Sequence, residues 1–226
     1  LTDFQFLAKA CRDNDVLWGV EENYGMISPG ADQFAYENVA FQANGAPQVA
    51  LNDEDALLLG LRPDRIQTYL ENNLKHIRYY LTPNLCSLSG TTDGRDDFFD
   101  ENGRRYHASL ARSSWRNLMK YAQNYLGQTS ASVTRGGGDW LLGAADGAGF
   151  ENRDEAMPGD YVRVPWFSLV HHARFPVYEM GGISGDRRLV EEAIDGRLPT
   201  ADHKSWGRAL VRKAWLMQPV AQALEK

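Results

Sequence analysis

An amphipathic helical segment followed by a short, unbroken apolar run recurs along this sequence, and the recurrence restricts the fold more than any other feature. Phe4, Leu7 and Cys11 lie at helical spacing, and residues 16–20 follow as an apolar run. Unbroken runs of this kind are typical of parallel strands, which are buried on both faces. The predicted helix and strand pairs are 3–13 with 16–20, 63–75 with 76–81, and 109–126 with 130–134.

Shorter units of the same kind follow in the later part of the chain. Residues 141–145 form an apolar run that leads to Asp146, and residues 164–170 form one that leads to His171 and His172. The two closing helices are predicted at 186–195 and 204–224.

Alternating helices and buried strands indicate an α/β fold with a parallel sheet. Because successive right-handed crossovers curl such a sheet into a barrel, the expected architecture is a (β/α)8 barrel of the TIM type. A complete barrel takes about 250 residues and eight strands, whereas this chain of 226 residues shows about five parallel strands. We therefore predict a single α/β domain over residues 1–226, the central and later part of a partial barrel. The alternative is an open doubly wound sheet that is complete as it stands.

Charge and apolar patterning exclude several classes of function. The chain has 24 basic and 30 acidic residues, and the basic ones are scattered among acids, which argues against a nucleic-acid surface. The longest apolar runs, at 56–59 and 164–170, are far shorter than the roughly 20 residues of a membrane span. Cys11 and Cys86 are too few for a disulfide framework or a metal cluster, and we expect them to be small apolar fillers.

The chain begins at Leu1, without the charged leader, apolar stretch and cleavage site of a signal peptide. We expect it to be a piece of a longer parent chain, whose remainder would be a partner. A targeting peptide would have preceded this start, so the sequence does not give the localisation.

Polar and aromatic side chains gather where the predicted strands end, and chemistry belongs at the carboxyl ends of strands in both architectures. Carboxylates, amides, imidazoles and aromatic rings together suit a carbohydrate, whose hydroxyls need polar partners and whose ring faces stack on aromatic side chains. Long polar segments predicted as loops, at 28–53, 87–105 and 150–163, would help to build such a site. The strand-end residues are Glu21, Glu22, Asn23, Tyr24, Thr82, Asn84, Arg135, Asp139, Asp146, His171 and His172.

Four short motifs carry a resemblance to a known family. They are Trp18-Gly19-Val20-Glu21-Glu22-Asn23-Tyr24 with Pro29 after it, Tyr80-Leu81-Thr82, Thr134-Arg135-Gly136-Gly137-Gly138-Asp139-Trp140 with Asp146, and Val164-Pro165-Trp166-Phe167-Ser168-Leu169-Val170-His171-His172. Over roughly residues 3–175, the chain resembles the catalytic barrel of bacterial retaining glycoside hydrolases similar to endo-α-N-acetylgalactosaminidases. The resemblance implies a TIM-type barrel that hydrolyses or binds a glycan or oligosaccharide.

Retaining hydrolysis needs a nucleophilic and an acid/base carboxyl group about 5 to 5.5 Å apart. The resemblance implies a nucleophilic aspartate at the end of the strand read at 80–82, where this chain has Thr82, or Asn84 in a shifted register. It implies an acid/base glutamate at the position of Arg135. None of these side chains supplies a carboxylate, and arginine keeps its proton. Three explanations are open: a pseudoenzyme that still binds glycan, a relocated catalytic pair, or a misplaced alignment.

For a relocated pair, the carboxylates expected near the rim are Glu21, Glu22, Asp139 and Asp146, of which Glu22, Asp139 and Asp146 are the candidate catalytic residues. Glu21 and Glu22 point to opposite faces of a strand, so at most one of them faces a pocket. Asp146 equally fits a turn in its Ala-Asp-Gly setting, and Asp139 equally fits a cap of the segment that follows it. The candidate substrate-binding residues are Glu21, Asn23, Tyr24, Asn84, Arg135, Trp140, His171 and His172.

Neither a metal ion nor an organic cofactor is predicted. Adjacent His171 and His172 would point to opposite faces of a strand, and no third ligand lies at a recognisable spacing. Glycines 136–138 lack the Lys-Ser/Thr of a phosphate-binding loop, and the acidic stretches 93–101 and 151–160 lack the EF-hand spacing. The predicted function is therefore hydrolysis or binding of glycans, with a non-catalytic glycan-binding or structural remnant as the alternative.

Overall fold

A computed structural model of the protein describes residues 2–53, 56–89, 97–127, 130–136, 138–151, 170–171 and 174–180. The chain divides into two units, Leu1–Asp146 and Gly147–Lys226. The helices of the first unit are α1 (Thr2–Asp13), α2 (Ile66–Leu81) and α3 (Ala108–Leu126). Its strands are β1 (Gly19–Asn23), β2 (Met26–Ile27), β3 (Val49–Asp53), β4 (Ala56–Gly60), β5 (Leu85–Ser89), β6 (Phe98–Phe99), β7 (Arg105–Tyr106) and β8 (Ala131–Arg135). The described strands of the second unit are β9 (Gly147–Glu151) and β10 (Val177–Met180).

A parallel sheet in the order β1, β5, β8 forms the centre of the first unit. Glu22 lies beside Leu88, and Leu88 lies beside Thr134, so equivalent positions of the three strands are in register. Cys86, Leu88, Ser132 and Thr134 are fully buried, and α3 packs against β5 and β8. We call this side of the sheet the helix-facing side.

The other side of this sheet is accessible. Because side chains alternate along a strand, the residues between the buried ones point away from the helices. We call this side the open face. Towards the carboxyl ends of its strands it carries the exposed or half-buried residues Glu21, Asn23, Ser87, Val133 and Arg135.

In the second unit, β9 and β10 pair in parallel, with Ala148 beside Val177. Both residues are buried, as is Phe175 just before β10. The Phe175 N–H donates to the carbonyl of His171, and both Val170 and His171 are helical. The described residues thus contain five parallel strands, three in the first unit and two in the second, which confirms the predicted α/β class. None of the helices in the described part of the chain has the length and apolar character needed to cross a lipid bilayer.

Helices α1 and α3 and strand β8 confirm the predictions at 3–13, 109–126 and 130–134 to within one residue at each end. These elements combine regular apolar spacing with a clear end. The burial of Trp115, Leu118, Met119 and Ala122 on α3 follows the helical spacing that predicted this helix.

The helix predicted at 63–75 is present as a 3-10 turn at Pro63–Arg65 followed by α2, but the strand predicted at 76–81 is wrong, because α2 continues to Leu81. Its apolar spacing extends through Ile77 and Leu81, which are both half-buried. The helix ends at Thr82, which has a left-handed φ of 45°, and the proline that follows cannot continue a helix. The strand therefore comes later, as β5.

Two other predicted strands are displaced, and the described end of a third is not a strand. The strand predicted at 16–20 is β1, three residues later, so its polar residues lie within the strand and do not follow it. The run 141–145 contains Gly143 with φ 72°, which breaks an extended chain, and the strand begins only after Asp146. Val170 is helical, although a strand was expected there. The remaining predicted segments, 152–163, 164–169, 186–195 and 204–224, lie outside the described residues.

The prediction of loops at 28–53 and 87–105 is wrong in part, because both segments contain strands. Strands β2, β4 and β3 form an antiparallel sheet in that order. Val39, Phe41 and Leu59 form a buried apolar cluster in this region. Strands β6 and β7 form an antiparallel pair of two residues each, which is too short to give an alternating sequence pattern.

A close approach of β1 to β5 requires glycine at position 19. A Cβ atom added there would lie 2.0 Å from the carbonyl oxygen of Leu85. Gly19→Ala is therefore expected to lower the free energy of unfolding by about 1 to 3 kcal/mol, the usual cost of overpacking, in urea denaturation. Gly30→Ala is the control, since the nearest atom to its added Cβ is Ser28 Oγ at 3.7 Å. Equal stabilities of Gly19→Ala and the wild type would contradict this close approach.

Candidate functional site

The carboxyl-terminal ends of β1, β5 and β8 lie at one edge of the parallel sheet, and two charged side chains meet there. Arg135 Nη1 lies 3.3 Å from Glu21 Oε1. Their strands flank β5, so the pair spans two interstrand spacings of about 5 Å each. The side chains of Arg135 and Glu21 are 43% and 41% exposed. A permanently charged donor and a carboxylate acceptor therefore lie side by side on the open face.

Polar residues of β1 and β5 accompany this ion pair. Asn23 is the next open-face residue of β1, and its Oδ1 accepts the Gly25 N–H at 2.9 Å. Ser87 lies beside Glu21 in the register of the sheet. Ser89 ends β5, and its hydroxyl donates to a carbonyl of β1 at 3.3 Å. We call the open-face residues Glu21, Asn23, Ser87 and Arg135 the rim site.

Glu22 points to the helix-facing side. Its Oε2 accepts hydrogen bonds from the Tyr24 hydroxyl at 2.9 Å and from Asn73 Nδ2, on α2, at 3.1 Å. Burial first, and then the Glu22 carboxylate, raise the pKa of Tyr24 well above its ordinary value. The expectation that Glu21 and Glu22 face opposite ways is confirmed, and Glu22 and Tyr24 do not share the open face with the rim site.

Thr82 and Asn84 lie at the opposite edge of the sheet, where β1 and β5 begin. Asn84 Oδ1 accepts the backbone N–H of Trp18 at 2.7 Å. Placing the nucleophile position at Thr82 or Asn84 is wrong, because residues 80–82 close α2 and the following strand ends at Ser89. The lack of a carboxylate at these two positions therefore says nothing about hydrolysis, since the alignment is misplaced at this strand.

Sequence reasoning missed the serines of β5, because the strand was expected at 76–81. One signal could have found them. Proline is common one to three residues after a helix ends, and Pro83 follows the last half-buried residue of α2. This signal places the strand after Pro83, at Leu85–Ser89, and so places Ser87 and Ser89 near its carboxyl end.

Asp146 lies near the beginning of β8 and not at the rim. Its carboxylate accepts the Ser132 N–H at 2.8 Å, and its own N–H donates to the Ser132 carbonyl at 2.7 Å. Gln123 of α3 donates to the same carboxylate. Ser132 precedes Arg135 by three residues, roughly 10 Å along a strand. The predicted place of Asp146 at a strand end, beside the other carboxylates, is wrong.

Asp139 and Trp140 follow β8 in a single 3-10 turn, Asp139–Leu141. Asp139 is exposed and lies four residues beyond Arg135. Trp140 is half-buried, and Arg116 of α3 donates to its carbonyl. Asp139 therefore stays a candidate carboxylate just beyond the carboxyl end of a strand, as the sequence predicted.

His171 belongs to the second unit, and His172 lies outside the described residues. His171 is half-buried in a helical turn, so its predicted place at a strand end is wrong. Among the residues that the structure describes, no three His, Cys, Asp or Glu side chains are grouped as metal ligands would be.

Comparison with known proteins gives matches among solved structures. No protein-family model matches the sequence, and no curated protein matches it. An α-N-acetylgalactosaminidase of Bifidobacterium bifidum, solved as a quadruple mutant, matches with TM-score 0.75 and 15% identity over 95% of this chain and 36% of that chain. An α-galactosidase of Thermus thermophilus in complex with stachyose matches with TM-score 0.61 and 14% identity, over 96% of this chain and 52% of that chain. Ega3 of Aspergillus fumigatus, in complex with galactosamine, matches with TM-score 0.52 and 12% identity, over 80% of this chain and 68% of that chain.

These likenesses establish the fold. The protein has the α/β architecture of a partial TIM-type barrel, similar to solved glycoside hydrolases, which confirms the expected resemblance at the level of the fold. The chain spans 36% of the bifidobacterial chain and 52% of the Thermus chain.

The hydrogen bonds of Asp146 predict a structural effect on substitution. Asp146→Ala leaves the buried backbone N–H of Ser132 without its carboxylate acceptor. We expect a loss of about 1 to 3 kcal/mol in the free energy of unfolding, measured by urea denaturation. Asp32→Ala, which removes an exposed carboxylate from a turn, is the control and should change stability by less than about 0.5 kcal/mol. Similar stabilities of the two variants would argue against this role.

Proposed function

We propose that this protein binds glycans of the galactose or N-acetylgalactosamine type at the rim site. One observation carries the proposal: Arg135 and Glu21 converge at 3.3 Å on the open face, at the carboxyl-terminal edge of a parallel sheet. Ligands of barrels and open parallel sheets bind at this edge. The choice of sugar is supported by the similar structures, whose names and bound molecules include α-N-acetylgalactosaminidase, α-galactosidase, N-acetylgalactosamine and galactosamine.

The rim site offers the donors and acceptors that a sugar needs. The Glu21 carboxylate accepts hydrogen bonds from hydroxyl groups, the Arg135 guanidinium donates them, and the Asn23 amide group has both functions. An exposed ion pair contributes only about 0 to 1 kcal/mol, so two neighbouring hydroxyls can replace this contact at little cost. The opposite charges of Glu21 and Arg135 also balance each other, which suits a neutral glycan.

Glycoside hydrolysis is the second candidate, and the position of Glu21 favours it. Hydrolysis needs two carboxyl groups, about 5 to 5.5 Å apart for retention and about 6.5 to 9.5 Å apart for inversion. Glu21 is an exposed carboxylate on the open face, and Asp139 is an exposed carboxylate just beyond β8. Glu21 therefore replaces Glu22 as a candidate, together with Asp139, whereas Arg135 cannot transfer a proton. A non-catalytic glycan-binding protein would use the same rim site without a working carboxyl pair.

Binding is tested by calorimetric titration of the full chain with N-acetylgalactosamine and with galactose. We expect saturable binding, weakened at least about tenfold in Arg135→Gln, because a hydrogen bond from a charged donor contributes about 1.5 kcal/mol or more. Arg112→Gln is the matched control, since Arg112 is an exposed arginine of α3, and it should leave the affinity unchanged. Equal affinities of the two variants, or no binding by the wild type, would contradict glycan recognition at the rim.

Hydrolysis is tested with a panel of aryl α- and β-galactosides and N-acetylgalactosaminides. If the protein is a hydrolase, Glu21→Gln and Asp139→Asn should each lower the rate at least about a hundredfold, the usual contribution of a general acid or base. Asp146→Asn should keep most of the rate per folded molecule, because Asp146 lies near the beginning of β8. Binding without turnover would identify the non-catalytic form. Loss of turnover in Asp146→Asn alone would contradict the placement of the site.

A further inference from the structure

A closed cycle of hydrogen bonds joins the end of β1 to α2. The Tyr24 hydroxyl donates to Glu22 Oε2 at 2.9 Å, and Asn73 Nδ2 donates to the same oxygen at 3.1 Å and to the Tyr24 hydroxyl at 3.0 Å. The Asn73 amide group therefore donates to both oxygens, and the hydroxyl hydrogen of Tyr24 has a carboxylate acceptor. We call Glu22, Tyr24 and Asn73 the anchor.

The anchor is partly shielded from water. Tyr24 is 4% exposed, and Glu22 and Asn73 are half-buried. Hydrogen bonds to a carboxylate in such surroundings are among the stronger ones in proteins, and losing one leaves a charge poorly solvated. Burial and the Glu22 carboxylate raise the pKa of Tyr24 well above its ordinary value, so the hydroxyl keeps the proton that it donates.

The anchor is coupled to the rim site through the backbone of β1. In the described part of the chain, β1 is an end strand and pairs only with β5. Since side chains alternate along a strand, holding Glu22 on the helix-facing side keeps Glu21 and Asn23 on the open face. A slip of one residue would exchange the two faces and take Glu21 away from Arg135.

We propose that Glu22, Tyr24 and Asn73 are positioning residues for the rim site, which hold Glu21 and Asn23 in place for a glycan that the anchor itself does not touch. The inference rests on the proposed glycan binding. It gives Glu22 a function other than the catalytic one expected from the sequence. It also predicts that removing one hydroxyl on the helix-facing side lowers affinity on the open face.

Tyr69, which belongs to α2 as Asn73 does, provides a matched control for Tyr24. Its hydroxyl donates to the Gln33 carbonyl at 3.0 Å and accepts from Asn38 Nδ2 at 2.9 Å. It therefore makes one donated and one accepted hydrogen bond, as Tyr24 does, but its partners lie outside β1. A phenylalanine at either position removes one hydroxyl and keeps the ring.

The experiment compares Tyr24→Phe and Tyr69→Phe in the full chain. Three quantities are measured for each: affinity for N-acetylgalactosamine by calorimetry, the melting temperature, and hydrogen exchange of the backbone amides of residues 21–23. Tyr24→Phe should weaken affinity about tenfold, the effect of one hydrogen bond to a charged group, and should speed exchange in β1. Tyr69→Phe should lower the melting temperature about as much as Tyr24→Phe does. It should leave the affinity and the hydrogen exchange of the β1 amides unchanged. If Tyr24→Phe does not fold, Asn73→Ala takes its place with the same expectations.

Two results would overturn the inference. The first is a loss of affinity in both variants in proportion to the drop in melting temperature, which would indicate a general effect on stability. The second is an unchanged affinity in both variants. Failure of the proposed function gives a different result, because the wild type itself would then bind no sugar. In that case hydrogen exchange of the backbone amides of residues 21–23 still tests the function of the anchor. Equal exchange in Tyr24→Phe and Tyr69→Phe would show that the anchor does not hold β1.

Discussion

The alternation of side chains along β1 is the constraint on which the candidate site depends. Two adjacent glutamates at the end of this strand have opposite surroundings. Glu21 reaches across the open face to Arg135 of β8, whereas Glu22 is bound by Tyr24 and Asn73 on the helix-facing side. Of these two carboxylates, that of Glu21 is therefore exposed on the open face, whereas that of Glu22 is half-buried and bound to α2 through Asn73.

The parallel direction of β1, β5 and β8 then sorts the polar residues between two edges. Glu21 and Arg135 lie at the carboxyl-terminal edge, where parallel sheets bind ligands. Asn84 and Asp146 lie near the other edge and accept the backbone N–H groups of Trp18 and Ser132. These two side chains act as acceptors for N–H groups where the strands begin, so their polarity is explained by the hydrogen bonding of the sheet.

Much of this arrangement could be predicted from sequence because the relevant signals are local. The apolar spacing of α3 and the alternation of Glu21 and Glu22 are such signals, and both agree with the structure. Tyr79 and Tyr80 favour a strand at 76–81 in the sequence, because aromatic residues are enriched in strands on average. In the structure they lie on the outer side of α2, 77% and 43% exposed.

The rest depends on tertiary contacts that a sequence pattern does not contain. Strands of two residues, such as β2 and β6, are too short to show a period. The contact between Glu21 and Arg135 joins positions 114 residues apart. Asp146 likewise appears in the sequence to be a carboxylate at the end of a strand. In the structure its carboxylate accepts hydrogen bonds from Ser132 and Gln123 and so stabilises the beginning of β8.

An NMR titration of the isotope-labelled chain with N-acetylgalactosamine is the most direct test of glycan binding at the rim. The amide signals of Glu21 and Asn23 and the side-chain Nε signal of Arg135 should shift together, with one dissociation constant. The amide signals of Asn84 and Ser132, near the opposite edge, should stay in place. Shifts confined to those residues, or no shifts at saturating sugar, would contradict a glycan site between Glu21 and Arg135.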